Sequence, residues 1–186
     1  MHHLLKPIIA LSVYFIFTVA TCKNRDSVPD QEPSSAAHLK QTDWTAGIIS
    51  DSTGFPADTF SAITDVRTGR HEEFDRIVFE ISGPGIPDYH IEYIDEPVRM
   101  CGSGNPLYLP GDGWLMIRFH SARMHTKGSS TIEDRDRRLE LPVILRLVAT
   151  CDFENIVTWV AAVSSPNRYR VMELGNPSRL VVDIRH

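Results

Sequence analysis

Three cysteines and eight histidines are the residues of this chain with the widest chemical reach. In an oxidising compartment Cys101 and Cys151 are expected to bond, and closing a loop of about 50 residues contributes on the order of 4 kcal/mol. A nucleophilic thiol needs a base beside it instead, and His90, His120 and His125 qualify by type alone, without a spacing that selects one. His71-Glu72-Glu73 begins like a zinc-protease helix, but Asp75 stands where the second histidine belongs. His90-Ile91-Glu92 opens like a zinc deaminase signature with no Pro-Cys-x-x-Cys after it. His120 and His125 lack a third ligand, and neither a G-x-S-x-G elbow nor a Walker loop is present. The chain therefore reads as non-enzymatic, with no catalytic residue, metal or cofactor expected. Paired carboxylates of the glycosidase kind stay open, because their separation in space is not written in a sequence.

The third cysteine carries a different chemistry. Lys6 is followed by a largely apolar run from Pro7 to Ala20, then Thr21 and Cys22. Such a run, about 14 residues long, is short of the roughly 20 needed to span a membrane and has the layout of a signal peptide. Val19-Ala20-Thr21-Cys22 resembles a bacterial lipobox, which implies an acylated Cys22 as the first mature residue. The alternatives are ordinary cleavage after Ala20 and a spanning anchor. Acylation of Cys22 leaves Cys101 and Cys151 as an even pair, in keeping with an exported protein.

These residues need elements to position them. The composition, 42% hydrophobic and 23% charged, is that of a folded module. Loss of residues 1–21 removes one base and no acid, taking the formal charge from −5 to −6. That argues against nucleic acid as a partner and against an anionic wall polymer as bulk ligand. Residues 22–42, polar and carrying Pro29 and Pro33, read as the lipidated terminus and a disordered tether. Residues 43–186 read as one all-β domain, beginning with an irregular arm or edge strand. Beyond Phe60, period-two stripes recur: Ile77, Phe79 and Ile81; Leu115, Ile117 and Phe119; Val143, Leu145, Leu147 and Ala149; Val157, Trp159, Ala161 and Val163. Ile156, Val160 and Ala162 give the last of these a second apolar face, as in a strand covered on both sides.

Two pairs of segments align without gaps. Asp75–Ile81 matches Ser178–Ile184, and Tyr89–Pro97 matches Tyr169–Pro177, in swapped order. An internal duplication building two related sheets is the expectation, and two such sheets pack as a sandwich with pseudo-symmetry.

Tyr169-Arg170-Val171 followed by Asn176-Pro177-Ser178-Arg179-Leu180-Val181-Val182-Asp183-Ile184 resembles the closing strands of AMIN and AMIN-like domains. Phe74–Phe79 resembles their opening strand, and Cys151–Glu154 with Val157–Val160 the middle of the AMIN-like branch found in small bacterial lipoproteins. The resemblance implies a β-sandwich of two short sheets without catalytic activity, a module that contacts peptidoglycan in the cell envelope. The expected protein is thus a membrane-anchored lipoprotein on the extracytoplasmic side that binds peptidoglycan or another wall glycan. The alternatives are an accessory protein that binds another envelope protein through a sheet edge, and a wall-glycan hydrolase.

For a glycan ligand, rings stack on sugars while polar groups fix orientation. The residues expected to serve are Arg67, Arg70 and His71 before the opening strand, Arg118 and His120 outward from the Trp114 strand, and Tyr169 with Arg170. Core packing is the competing role for Tyr169, and solvation or ion pairing for the arginines.

Overall fold

The computed structural model describes residues 38–52, 54–56 and 58–186. The expected signal peptide, Cys22 and most of the expected tether lie outside the described residues. In chain order the strands are β1 His38–Gln41, β2 Ile49–Asp51, β3 Ser61–Arg70, β4 Phe74–Ser82, β5 Tyr89–Ile94, β6 Val98–Arg99, β7 Pro106–Leu107 and β8 Gly113–His120. They continue as β9 Ala122–Arg123, β10 His125–Thr126, β11 Ser129–Ser130, β12 Asp136–Arg138, β13 Ile144–Phe153, β14 Ile156–Val163, β15 Tyr169–Leu174 and β16 Ser178–Arg185.

The first sheet runs β1-β15-β16-β4-β3-β9 and the second β12-β13-β14-β8-β5-β2. Neighbours are antiparallel except β3 with β9. Period-two alternation sends one side of each strand between the sheets. Ile77, Phe79 and Ile81 of β4 and Leu180, Val182 and Ile184 of β16 meet Leu115, Ile117 and Phe119 of β8 and Val157, Trp159 and Ala161 of β14. Phe79 lies edge-on to Phe119 with centroids 5.2 Å apart, a favoured arrangement of ring quadrupoles. The all-β sandwich and its central stripes are as expected. So is the two-sided burial of β14, whose outward Val160 and Ala162 belong to a second apolar cluster with Val98, Leu109 and Val148.

Two local expectations change. Irregularities in β13 between Ile144 and Arg146 and between Ala149 and Cys151 break the alternation. Ile144 therefore enters the core where Leu145 was expected, because a bulge moves the following side chain to the other face. The end of the expected tether, His38–Gln41, pairs with β15 as an edge strand. Lys40 then reaches Asp51 of β2 at 2.6 Å and links the edges of the two sheets.

Aligned from the edges, β1-β15-β16-β4-β3-β9 corresponds position by position to β2-β5-β8-β14-β13-β12. The chain segment β3-β4-β5-β8 is thus repeated as β13-β14-β15-β16, each half giving one hairpin to each sheet. The registers agree: Tyr89 faces Phe119 and His90 faces Arg118, as Tyr169 faces Ile184 and Arg170 faces Asp183. Tyr89–Pro97 and Tyr169–Pro177 are true equivalents, each ending in a cis X–Pro bond. Both tyrosines reach the opposite sheet: Tyr89 Oη donates to Glu173 Oε1 at 2.9 Å, and Tyr169 Oη lies 2.8 Å from the Ile91 carbonyl oxygen. The other expected equivalence is corrected. Asp75–Ile81 and Ser178–Ile184 are antiparallel neighbours in one sheet, and the counterpart of β4 is β14 while that of β16 is β8. The likeness arises because adjacent strands share the same two environments. With these assignments the order is not swapped.

Candidate functional site

The two halves differ most between their last two strands. Residues 175–177 join β15 to β16, whereas residues 95–112 join β5 to β8. This longer connection, rich in Gly and Pro, folds as a flap over the outer face of the second sheet. β6 pairs with β7, and Val98 and Leu109 pack on Val148, Val160 and Ala162. The flap is held at both ends. Cys101 is bonded to Cys151 of β13 with their Cα atoms 5.2 Å apart, and the Cys101 amide donates to the Thr150 carbonyl at 3.0 Å. At the other end Gly111 has φ of 85° and passes so near β14 that a Cβ would fall 2.0 Å from the Val163 oxygen. Only glycine meets both demands. The bonded sulfurs also remove the nucleophilic-thiol alternative.

Among the described residues several concavities border the flap, three of them large. One of about 470 Å³ has Met116, Arg118, Thr158 and Val160 in its floor and Pro97 and Arg99 of the flap above. A second, about 460 Å³, lies across the disulfide beside Leu107, Arg135 and Asp136. The third, about 520 Å³, is bounded by Tyr108, Pro110, Leu139, Leu145 and Arg146. Tyr108 is 75% exposed. Near it Arg146 grips Asp136 through two bonds of 2.7 Å, and this hydrogen bonding holds the Asp136 carboxyl below its usual range. Arg135 is likewise taken up by Asp152 at 3.0 Å. The Arg118 side chain has no hydrogen bond or ion pair among the described residues.

The residues expected to bind a ligand do not gather at one place. Arg118 lines the first concavity. His120 is exposed at the end of β8. Arg67 lies on β3, paired with Asp65 at 2.6 Å and Glu80 at 3.1 Å. Arg70 is exposed at the end of that strand, and His71 stacks on Phe74 with centroids 4.6 Å apart. Arg170 sits on the outer face of the first sheet, 2.9 Å from Asp183 and over Trp44 at 4.5 Å. Tyr169 is 0% exposed: its ring is core, so it offers no ligand platform.

The face of the first sheet is chemically closed. Asp183, 0% exposed, accepts from Arg76 Nε at 2.7 Å, Arg76 Nη2 at 3.0 Å and Arg170 Nε at 2.9 Å. Arg76, Arg170 and His71 all face Phe74, so its ring is occupied by the protein's own groups. Tyr108, which the sequence reading missed, is the freer ring. Its signal was legible in Pro106-Leu107-Tyr108-Leu109-Pro110, an aromatic residue held between two prolines in a turn-rich stretch. Among the described residues no three His, Cys, Asp or Glu side chains converge as a metal site.

A helix-free sandwich of two pseudo-symmetric sheets, with a disulfide-tied flap on one outer face, defines the structural class. The AMIN-like domain model matches residues 61–186, and the chain belongs to that family. AMIN-like domains occur in bacterial envelope proteins, which supports an extracytoplasmic location. No curated protein and no solved structure matches the chain.

Proposed function

We propose that this protein is a non-enzymatic lipoprotein, held to the membrane by an acyl group on Cys22, whose flap face binds peptidoglycan or another wall glycan. The observation that carries this reading is Tyr108, an exposed ring projecting from a rigidly tied flap beside a concavity of about 520 Å³. A ring held in place by flanking prolines and a disulfide loses little entropy when a sugar stacks on it. Of the two cations lining that concavity, Arg146 is committed to Asp136 while Arg138 is exposed and left to meet a polar group of the ligand.

Co-sedimentation with protein-free sacculi tests the proposal. The protein is expected in the pellet without soluble fragments in the supernatant, and Tyr108→Ala is expected to weaken pelleting about tenfold, the worth of about one good ring contact. Fragment release would make it a hydrolase. Failure of the wild-type protein to pellet would move the search to an envelope protein partner.

A further inference from the structure

The pseudo-two-fold relation places Arg118 in an unusual light. Across β5, β8 and β14, His90, Arg118 and Thr158 lie side by side. Their counterparts across β15, β16 and β4 are Arg170, Asp183 and Arg76. In the first sheet a central carboxylate is clasped by two guanidinium groups. In the second sheet the central position has become a cation and both flanking cations have gone. Thr158 offers only a hydroxyl, and His90 turns to Glu92 at 3.2 Å. One sheet has thus a complete ion cluster, and the other has a guanidinium in a groove without a carboxylate partner.

The groove itself narrows the choice of anion. Arg118 in the floor and Arg99 in the flap supply positive charge from two sides, and Arg99 keeps its place through a bond from Nη1 to the Gly104 carbonyl at 2.9 Å. Ile94, Met116 and Val160 make apolar walls suited to short alkyl side chains. Glu92 also lines the groove and disfavours a ligand with several negative charges, such as a phosphate polymer. A planar guanidinium pairs best with a planar carboxylate, through two parallel bonds.

We propose that the Arg118 groove is a carboxylate subsite that takes the free carboxylate of a short alkyl-rich peptide, the kind of stem carried by wall glycan. The inference deepens the wall-binding reading of the flap face and rests on it for the source of the peptide.

The test is titration of the full-length protein in detergent micelles with N-acetyl-alanyl-alanine and with its C-terminal amide, beside the sacculus assay. The acid is expected to bind about tenfold more tightly than the amide. Arg118→Gln is expected to abolish that preference and Arg118→Lys to keep part of it, with unchanged unfolding midpoints because no protein group depends on Arg118. Equal binding of acid and amide, binding of neither, or an acid preference that survives Arg118→Gln overturns the subsite. Pelleting by sacculi without an acid preference leaves the wall-binding reading standing alone. An Arg118-dependent acid preference without pelleting upholds the subsite and overturns its assignment to the wall.

Discussion

Asp75 ties the two sheets together at one end of the sandwich, and its removal gives a sharp test of the fold's internal chemistry. The side chain leaves β4 of the first sheet, is 0% exposed, and accepts the amides of Val143 at 2.7 Å and Ile144 at 3.0 Å, where β13 of the second sheet begins. Both bonds go to Oδ2, while Oδ1 lies 3.1 Å from His186 Nε2. Asp75→Ala leaves two buried N–H groups without an acceptor, at about 1–3 kcal/mol each. With water recovering part of the loss, destabilisation of about 2–5 kcal/mol is expected. Asp75→Asn differs in kind, because one carbonyl oxygen suffices for both amides. The new amide nitrogen faces an imidazole nitrogen able to accept in one tautomer, and the residual loss is the charge assistance, about 1 kcal/mol. Urea unfolding with the disulfide intact measures both variants, provided the transition is two-state. Equal destabilisation by the two substitutions, or a cost below about 1 kcal/mol for alanine, would refute the assignment of Asp75 as an amide acceptor between the sheets.

Reduction of Cys101–Cys151, or Cys101→Ser with Cys151→Ser, is expected to lower stability by up to about 4 kcal/mol, the entropy of a loop of that length. It should also speed proteolysis within residues 102–106 while leaving the far-ultraviolet β signal in place. A pH effect is expected at Glu173, whose carboxyl is raised above the ordinary range chiefly by burial and also by Asp51, against the lowering effect of the Tyr89 hydroxyl. An acid raised in the folded state holds its proton longer there than in the unfolded chain, so stability falls as pH rises from the unfolded value towards the folded one. Glu173→Gln should therefore gain on the wild type as pH rises above the ordinary carboxylate value of about 4.3 in paired denaturation curves. A gain in the opposite direction would reverse the assignment. Asp51, lowered chiefly by its hydrogen bond from Lys40, slopes the other way.

The sequence disclosed the parts of the fold that obey a period. β4, β8, β14 and β16 keep the alternation because no bulge falls within them and their inward residues meet one apolar space. β13 was misread at Leu145 because a bulge depends on hydrogen bonding to β14, which no local pattern carries. The same limit explains the mistaken match of β4 with β16: side-chain type reports environment, and two strands of one sheet share an environment without sharing an origin. The functional surface was harder to see. Arg118 and Arg170 are both outward arginines in sequence, yet one is bound to a buried carboxylate and the other faces a groove. That difference is set by residue 183, on a strand 65 positions away from Arg118, and by a flap whose path depends on Cys101 finding Cys151. Tyr169 carried the opposite error, since a tyrosine that begins a strand reads alike whether its ring faces core or solvent.

The asymmetry between the two sheets is what supports placing the proposed function on the flap face. A duplicated sandwich begins with two equivalent outer faces, and stability asks only that each be covered or solvated. Here the first sheet settles its face with its own groups: the Arg76–Asp183–Arg170 cluster fills the centre and the guanidinium groups cover Trp44 and Phe74. Chain closure alone does not require the flap inserted into the first half between β5 and β8, because the equivalent strands β15 and β16 close with residues 175–177. The flap instead holds Tyr108 away from the core and roofs Arg118 without neutralising it. A central carboxylate clasped on one face and a guanidinium left without a carboxylate in a groove on the other support placing the proposed binding surface on the second.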